Sequence, residues 1–598
     1  MWRIRAKCAA VCVVTAAVAA TSFVGPALAM DPDPAVSATT GGRAGAPYPP
    51  ARSASATPAG ASAFPSIPAV RSFVPAATAG FVPRAGFRVV ATSGGRPADE
   101  ARLLAGELRL PYATGESGPG DITLSLSLER SSSDPGSYEM TSTPDRVIVR
   151  ARTDAGAFYG TRTILQALRS TGRVPAGTVE DRPDRPRRGL MVDLGRKYFS
   201  RGWLEDRVRE LGDLKYNELH LHLSDDQGFR VESRTHPELV PRRHLTKADV
   251  RAVVALAARR HVSVVPEIDS PGHLGAVLAA HPGLQLRDRR GVPVRGALDI
   301  SRPGAARLVD DLVREFAPLF PGRSWHLGGD EYGALVVRDP QRSFPGLAAY
   351  ARERYGPRAT VADAATGWLN DRAATLRSLG KRAEAWNDGF PAGGDGPHAG
   401  RVVAPDADRV VAYWSSNKRR GPLPEHYLSR GRQLVNLNSR YLYYVLGGPA
   451  AFPYPTGQRI YERWTPAVVY RDHAVPAALS GPDRVVGARL AVWCDRAGAE
   501  SQARVAAGIR MPLRALAQKL WIRAGRIGAG GNSRLWPHGW TDPAATVPGE
   551  AAEVRLPPQE RLRPLLSCSA SCGPKVSHPS GRPALRSDPH CFRELSDP

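Results

Sequence analysis

Residues 324–331 read Ser324-Trp-His-Leu-Gly-Gly-Asp330-Glu331. A short apolar run passes into two glycines and then two adjacent carboxylates. A run of this length fits a buried strand rather than a helix. The same design recurs at 189–196, 218–225, 262–269, 382–388, 410–415, 433–438 and 488–495, with amphipathic helical spacing between the runs. Eight apolar strands alternating with helices predict a parallel sheet closed into a (β/α)8 TIM barrel, an α/β fold. Polar residues gather where the runs end: Asp193 and Arg196, Asp225 and Asp226, Glu267 and Asp269, Asp330 and Glu331, Asn387 and Asp388, then Asp495. A barrel enzyme carries its chemistry on that face. Strands of purely structural use have no reason to end in carboxylates so often.

Working outward, the barrel is assigned to residues 183–527. Upstream, Phe87-Arg-Val-Val-Ala91, Ile122-Thr-Leu-Ser-Leu-Ser-Leu128 and Arg146-Val-Ile-Val-Arg-Ala151 alternate like half-buried strands, and 155–168 has helical spacing. This predicts a small α+β accessory domain over 86–182. Residues 30–85 are rich in Ala, Pro, Ser, Gly and Thr and read as a linker. Residues 528–598 lose periodicity and read as a low-order tail.

The N-terminus predicts the compartment. Arg3, Arg5 and Lys7 precede an apolar run from Cys8 to about Val24, and Ala27-Leu28-Ala29 supplies a cleavage site. This is the pattern of a secretory signal peptide spanning 1–29. No later run is long and apolar enough to span a bilayer, so no membrane span is expected after cleavage. Of six cysteines, Cys8 and Cys12 fall in the signal and Cys494 in an apolar segment. The tail's Cys568, Cys572 and Cys591 allow at most one bridge, Cys572–Cys591 or Cys568–Cys591. The fold is not expected to depend on disulfides.

The formal charge is +24. Such a chain adheres to polyanions. Its cations are mostly arginines spread along the whole length, with no nucleic-acid motif or lysine-rich arm. Nucleic acid is therefore not an expected partner; electrostatic association with an anionic cell wall is the compatible reading.

Adjacent residues on an extended segment point in different directions. Asp330 and Glu331 therefore need not share a proton: one can serve as a general acid while the other contacts another part of the substrate. The glycines allow a sharp turn and close approach of a ligand to the backbone. His220 and His222 stand at i, i+2 on one strand face, a spacing that suits a metal pair, but no third ligand set accompanies them and packing is the plainer reading. A salt bridge is the plain reading of Asp193 and Arg196, and it coexists with ligand contact. Tyr332 reads equally as core or as lining for a leaving-group subsite.

Trp325-His-Leu-Gly-Gly-Asp-Glu-Tyr332 resembles the His-x-Gly-Gly-Asp-Glu signature of glycoside hydrolase family 20. Gly189-Leu-Met-Val-Asp-Leu-Gly-Arg196, Leu219-His-Leu-His-Leu-Ser-Asp-Asp226 and Val265-Pro-Glu-Ile-Asp-Ser-Pro-Gly-His273 are similar to the family's motifs on the preceding strands, in the family's order. The resemblance covers about 90 to 527. It implies a retaining β-N-acetylhexosaminidase acting on N-acetylglucosamine-containing glycans, in which the substrate's acetamido oxygen is the nucleophile and an oxazolinium intermediate forms. The family departs in this way from the two-carboxylate scheme. It implies Glu331 as acid and then base, Asp330 as orienter of the acetamide N–H, Asp225 and His273 as a relay toward Glu331, and Arg196 as a ligand for sugar hydroxyls. Trp386, Trp414 and Trp493 would wall the sugar, Tyr441 would reach the acetamido carbonyl, and Asp495 would touch hydroxyls. No cofactor and no catalytic metal are implied.

The strand-end motifs Asp-Glu-Tyr-Gly, Trp386-Asn-Asp-Gly and Asn436-Leu-Asn-Ser-Arg-Tyr-Leu-Tyr-Tyr444 resemble most the dispersin B-like branch, hydrolases of β-1,6-linked poly-N-acetylglucosamine. That reading stands as the alternative within enzymes; a catalytically inactive sugar- or wall-binding protein on the same barrel is the alternative of another class. Two positions depart from the common family pattern: Tyr441-Leu442-Tyr443 replaces Tyr-Leu-Asp, and Trp493-Cys494-Asp495 replaces Trp-x-Glu.

Overall fold

The computed structural model describes residues 64–522, except 93, 95, 127–133, 392, 394–395, 417–421 and 449–451. Residues 1–29, read above as a signal peptide, most of the segment read as a linker, and residues 528–598 with their cysteines lie outside the described residues. Cys494 is buried and free. Among the described residues no helix is long and apolar enough to cross a membrane.

All eight expected strands form: Arg187–Asp193, Glu218–His222, Ser263–Glu267, Ser324–His326, Arg382–Trp386, Val410–Tyr413, Leu434–Asn436 and Val485–Trp493. Each pairs in parallel with the next, and Val485–Trp493 pairs with both Leu434–Asn436 and Arg187–Asp193, which closes the barrel. Glu218–His222 alternates: Glu218, His220 and His222 turn into the barrel interior, and Leu219 and Leu221 pack in the surrounding apolar core. The barrel helices obey the usual local rules. Pro303–Phe316 buries Leu308, Val309, Leu312, Val313 and Phe316 along one stripe. Lys247–Arg259 and Val361–Ser378 both open with a Thr-x-x-Asp capping box.

The barrel interior is layered. At its base Arg489 and Arg187 hold Glu218 and Glu384, with Arg489 Nε donating to Glu218 at 3.0 Å and Nη2 to Glu384 at 2.9 Å. Above them His220, Glu267 and His326 form a second buried layer, and Trp386 lies against it, 4.7 Å from the His326 ring. Stacked layers of side chains fill the interior of a barrel of eight strands.

The accessory domain is a seven-stranded sheet carrying the helices Ala98–Leu108 and Asp154–Thr171. It begins earlier than the expected boundary at residue 86. Ser72–Pro75, within the segment read as linker, is an edge strand antiparallel to Gly177–Asp181. A four-residue, proline-ended edge strand leaves no alternating pattern long enough to stand out from a Pro/Ala-rich background. The two domains are joined by buried chemistry. Lys215 Nζ lies 3.0 Å from Asp181 Oδ2, and the indole of Trp521, at the end of the last barrel helix, donates to Asp181 Oδ1 at 2.7 Å.

Candidate active site

Asp193 ends the first barrel strand, and its carboxylate takes both the backbone N–H and a guanidinium N–H of Arg196 at 2.9 Å, while the N–H of Cys494 donates to it at 3.0 Å. The Asp193–Arg196 salt bridge is therefore present and also aims the guanidinium. Arg196 Nη2 reaches Asp225 at 2.9 Å, its Nε stands 3.6 Å from Asp495, and its guanidinium lies over Trp493, 5.2 Å from the ring centre. Burial works against the charge, but three carboxylates hold the Arg196 pKa above its ordinary value.

Asp225 follows the second strand. It is bound by His222 Nε2 at 2.8 Å, and its other oxygen is 3.5 Å from His273 Nδ1. His273 Nε2 in turn stands 3.5 Å from Asp330 and 3.8 Å from Glu331. His222 Nδ1 lies 2.9 Å from Glu267. A chain of alternating carboxylates and imidazoles therefore runs from the barrel interior to the Asp330–Glu331 pair. Burial disfavours charge on each ring, yet flanking carboxylates hold His222 and His273 well above the ordinary histidine range. Burial alone would raise Asp225, but His273, His222 and Arg196 hold it well below the carboxylate range. His220 goes the other way: burial lowers it to about 4.

The turn carrying the carboxylates is tightly built. Gly328 adopts φ +72°, and a Cβ there would stand 1.7 Å from Asp269 Oδ1. Asp269 accepts the Gly329 N–H at 2.9 Å. Burial, and then the charge of Asp330, raise Asp269 well above the carboxylate range. Glu331 at φ +46° and His273 at φ +54° both occupy the left-handed region that non-glycine residues seldom adopt. Asp388, at the end of the fifth strand, accepts the Glu331 N–H at 3.0 Å on one oxygen and the Trp414 indole N–H at 3.1 Å on the other. Burial and the neighbouring Asp330 push its pKa up to about 7.

Trp386, Trp414 and Trp493 belong to one buried apolar cluster at the strand ends, and the fourth aromatic member is Tyr443. Its ring is parallel to Trp414 within 6° at 6.0 Å and lies 5.8 Å from Trp493. Trp386 lies deepest, its indole donating to Glu267 at 2.8 Å. Tyr441, expected to face the sugar, does not join this cluster. It sits in the short helix Ser439–Leu442, packs with the outer core, and donates its hydroxyl to Asp472 at 2.6 Å. The chain then becomes the strand Tyr443–Val445, which pairs in parallel with Ala491–Trp493 at the barrel mouth and brings Tyr443 beside Trp493. Burial and the charge of Asp330 keep the Tyr443 hydroxyl protonated far above its ordinary range.

A cavity of about 300 Å³ opens at the barrel mouth, lined by Arg196, Asp225, Gln227, His273, Arg295 and Glu331 among others. The Glu331 side chain is partly exposed there and Asp495 is half-exposed, its pKa raised by burial against the pull of Arg196. Tyr332 does not line the cavity; it is buried and donates its hydroxyl to the carbonyl of Leu298 at 2.8 Å. Two adjacent carboxyls, an imidazole, a guanidinium and a cluster of aromatic rings thus lie at one end of the barrel, an arrangement suited to acid–base chemistry on a sugar. The buried donors His220, Glu267 and His326 lie close enough together for an ion, but Arg489 stands 3.4 Å from His220, and its guanidinium repels a second cation.

Tyr443, which the sequence shows as a departure from the family's Tyr-Leu-Asp, and Asp388, which it shows as a polar strand end, both belong to this geometry. Tyr443 was masked by its neighbour Tyr441, and nothing local marked Asp388 as the acceptor for Glu331.

Comparison with known proteins agrees with this geometry. Residues 186–523 match the catalytic domain of glycosyl hydrolase family 20, and residues 65–182 match domain 2 of the same family. A lacto-N-biosidase of Bifidobacterium bifidum is 28% identical over 472 residues, 77% of this chain and 39% of that protein. A β-N-acetylhexosaminidase of Cellulomonas fimi is 27% identical over 421 residues, 66% of this chain and 76% of that protein. The chain thus spans well under half the length of the first and about three quarters of the second. The solved family 20 β-N-acetylhexosaminidase of Streptomyces coelicolor A3(2) superposes with a TM-score of 0.60 at 26% identity, covering 77% of this chain and 92% of that one. With its barrel and its preceding domain both matched, this chain belongs to glycosyl hydrolase family 20.

Proposed function

We propose that this chain is a retaining β-N-acetylhexosaminidase that releases β-linked N-acetylglucosamine with the help of the substrate's own acetamido group. The observation that carries the reading is the Asp330–Glu331 pair at the barrel mouth, with His273 within 3.8 Å of both and the Trp414–Tyr443–Trp493 cluster beside it. Glu331 donates a proton to the glycosidic oxygen as the acetamido oxygen attacks the anomeric carbon from the opposite face. Asp330 accepts the acetamide N–H and balances its developing positive charge. The Tyr443 hydroxyl donates to the acetamido carbonyl oxygen. Glu331, now a carboxylate, removes a proton from water as it opens the oxazolinium ring; two inversions give retention. Asp225 and His273 hold Glu331 in place, and Arg196 and Asp495 take sugar hydroxyls. The basic, apolar N-terminal segment supports export, with extracellular glycans as substrates.

A second reading, release of a disaccharide from a glycan end, is favoured by the half-exposed, shortened Asp495 and by the likeness to a lacto-N-biosidase along 77% of this chain. The test is hydrolysis of chromogenic β-N-acetylglucosaminide and lacto-N-bioside, with β-1,6-poly-N-acetylglucosamine alongside. Turnover of the monosaccharide glycoside, with losses of about 10²–10⁴-fold in Glu331→Gln and Asp330→Asn, supports the first reading. Turnover of the lacto-N-bioside alone supports the second. Binding of the polymer without hydrolysis of any substrate overturns both.

A further inference from the structure

Away from the barrel mouth, three elements bring together His236, Glu238, His281 and Asp311. His236 and Glu238 lie at the start of the short 3-10 turn Pro237–Leu239. His281 caps the C-terminal end of the helix Gly275–Ala280. Asp311 lies on the helix Pro303–Phe316. One oxygen of Glu238 meets both rings: His236 Nδ1 at 2.9 Å and His281 Nε2 at 2.8 Å. The rings stand edge to face, 5.9 Å apart at 85°. The remaining nitrogen of His236, Nε2, is buried without a hydrogen-bond partner and faces Asp311 Oδ2 at 3.8 Å.

We propose that His236 Nδ1, His281 Nε2 and Glu238 Oε1 bind a zinc ion, with Asp311 orienting the His236 ring from behind. Two imidazoles and a carboxylate, converging within 4.8 Å, are a donor set that zinc accepts. A carboxylate behind the non-ligating nitrogen is the usual support of a metal-bound histidine. Zinc holds such ligands at about 2.0–2.1 Å in a tetrahedron, which sets the donor atoms about 3.3 Å apart. The two Glu238 contacts, now 2.8–2.9 Å, would open by a few tenths of an ångström, and the two ring nitrogens, within 4.8 Å of each other, would settle to the same spacing. Glu238 is 40% exposed and His281 29% exposed, so the side chains have room to move and a water can complete the shell. The ion is structural: it ties the excursion after the second barrel strand to the helix that begins two residues beyond His273, and the hydrolytic chemistry does not pass through it.

The test uses the full chain without a histidine tag, stripped with chelator, dialysed, and titrated with zinc chloride by calorimetry and by metal analysis. The expected result is one zinc per chain with micromolar or tighter affinity and a thermal midpoint raised by several degrees. His281→Asn and Glu238→Gln are expected to weaken that binding at least tenfold, and Asp311→Asn by about 10–100-fold. Cobalt in place of zinc is expected to give the visible bands of a four-coordinate nitrogen–oxygen site. Failure of the wild type to take up zinc overturns the proposal. So does uptake of unchanged affinity in both His281→Asn and Glu238→Gln, or a thiolate charge-transfer band in the cobalt form, which would assign the ion to cysteines.

Discussion

Asp388 accepts the backbone N–H of Glu331 at 3.0 Å and so fixes the left-handed backbone on which the proposed acid sits. Its second oxygen receives the Trp414 indole. One carboxyl therefore couples the acid's main chain to the aromatic wall. An amide in its place offers one acceptor atom for two donors. Asp388→Asn is expected to lower kcat/KM by about 10–100-fold, an acid–base contribution lost through mispositioning. Because the Asp388 pKa is raised to about 7, its contribution to stability is fully present below about pH 4 and lost as pH rises through about 7. Wild-type stability should decline across that window, and the decline should be absent in Asp388→Asn. Thermal midpoints of both proteins from pH 4 to 8 check this; parallel curves would refute it.

Tyr443 carries the hydroxyl proposed to contact substrate, whereas the Tyr441 hydroxyl is bound to Asp472. Tyr443→Phe removes a hydroxyl beside Asp330 and is expected to cost at least tenfold in kcat/KM with little change in thermal midpoint. Tyr441→Phe loses the bond to Asp472, expected to cost about 1 kcal/mol of stability, with kcat/KM within twofold of wild type. Steady-state kinetics and denaturation of the pair decide it.

Gly328 is expected to tolerate no side chain. A Cβ would collide with Asp269 at 1.7 Å, in a backbone conformation that L residues seldom adopt. Gly328→Ala should cost more than about 3 kcal/mol or fail to fold. Gly346, where a Cβ meets nothing within 4 Å, is the control, and Gly346→Ala should stay within about 1 kcal/mol of wild type.

The base of the barrel rests on charge pairing. Glu384 is buried between Arg187 and Arg489, which hold its carboxyl well below the ordinary range despite burial. Glu384→Gln leaves two buried guanidiniums short of a counter-charge. Chemical denaturation should show a loss of about 3–5 kcal/mol, the usual effect of breaking a buried pair by removing one partner.

By itself the sequence determined the barrel, its eight strands and the four motifs that end in Asp193–Arg196, Asp225, His273 and Asp330–Glu331. Those signals are local: a short apolar-rich run between amphipathic helices marks each strand, and a glycine pair before carboxylates marks its turn. Tertiary structure alone decided three things. It placed Tyr443, and not Tyr441, in the aromatic cluster, because the partner that orders 443–445 as a strand lies nearly fifty residues away at 491–493. It placed Asp388 under Glu331, across 57 residues. It drew Ser72–Pro75 into the accessory sheet through Gly177–Asp181. In each case the deciding energy is a contact between segments distant in the chain, and neither segment carries a trace of it in its own pattern of residues.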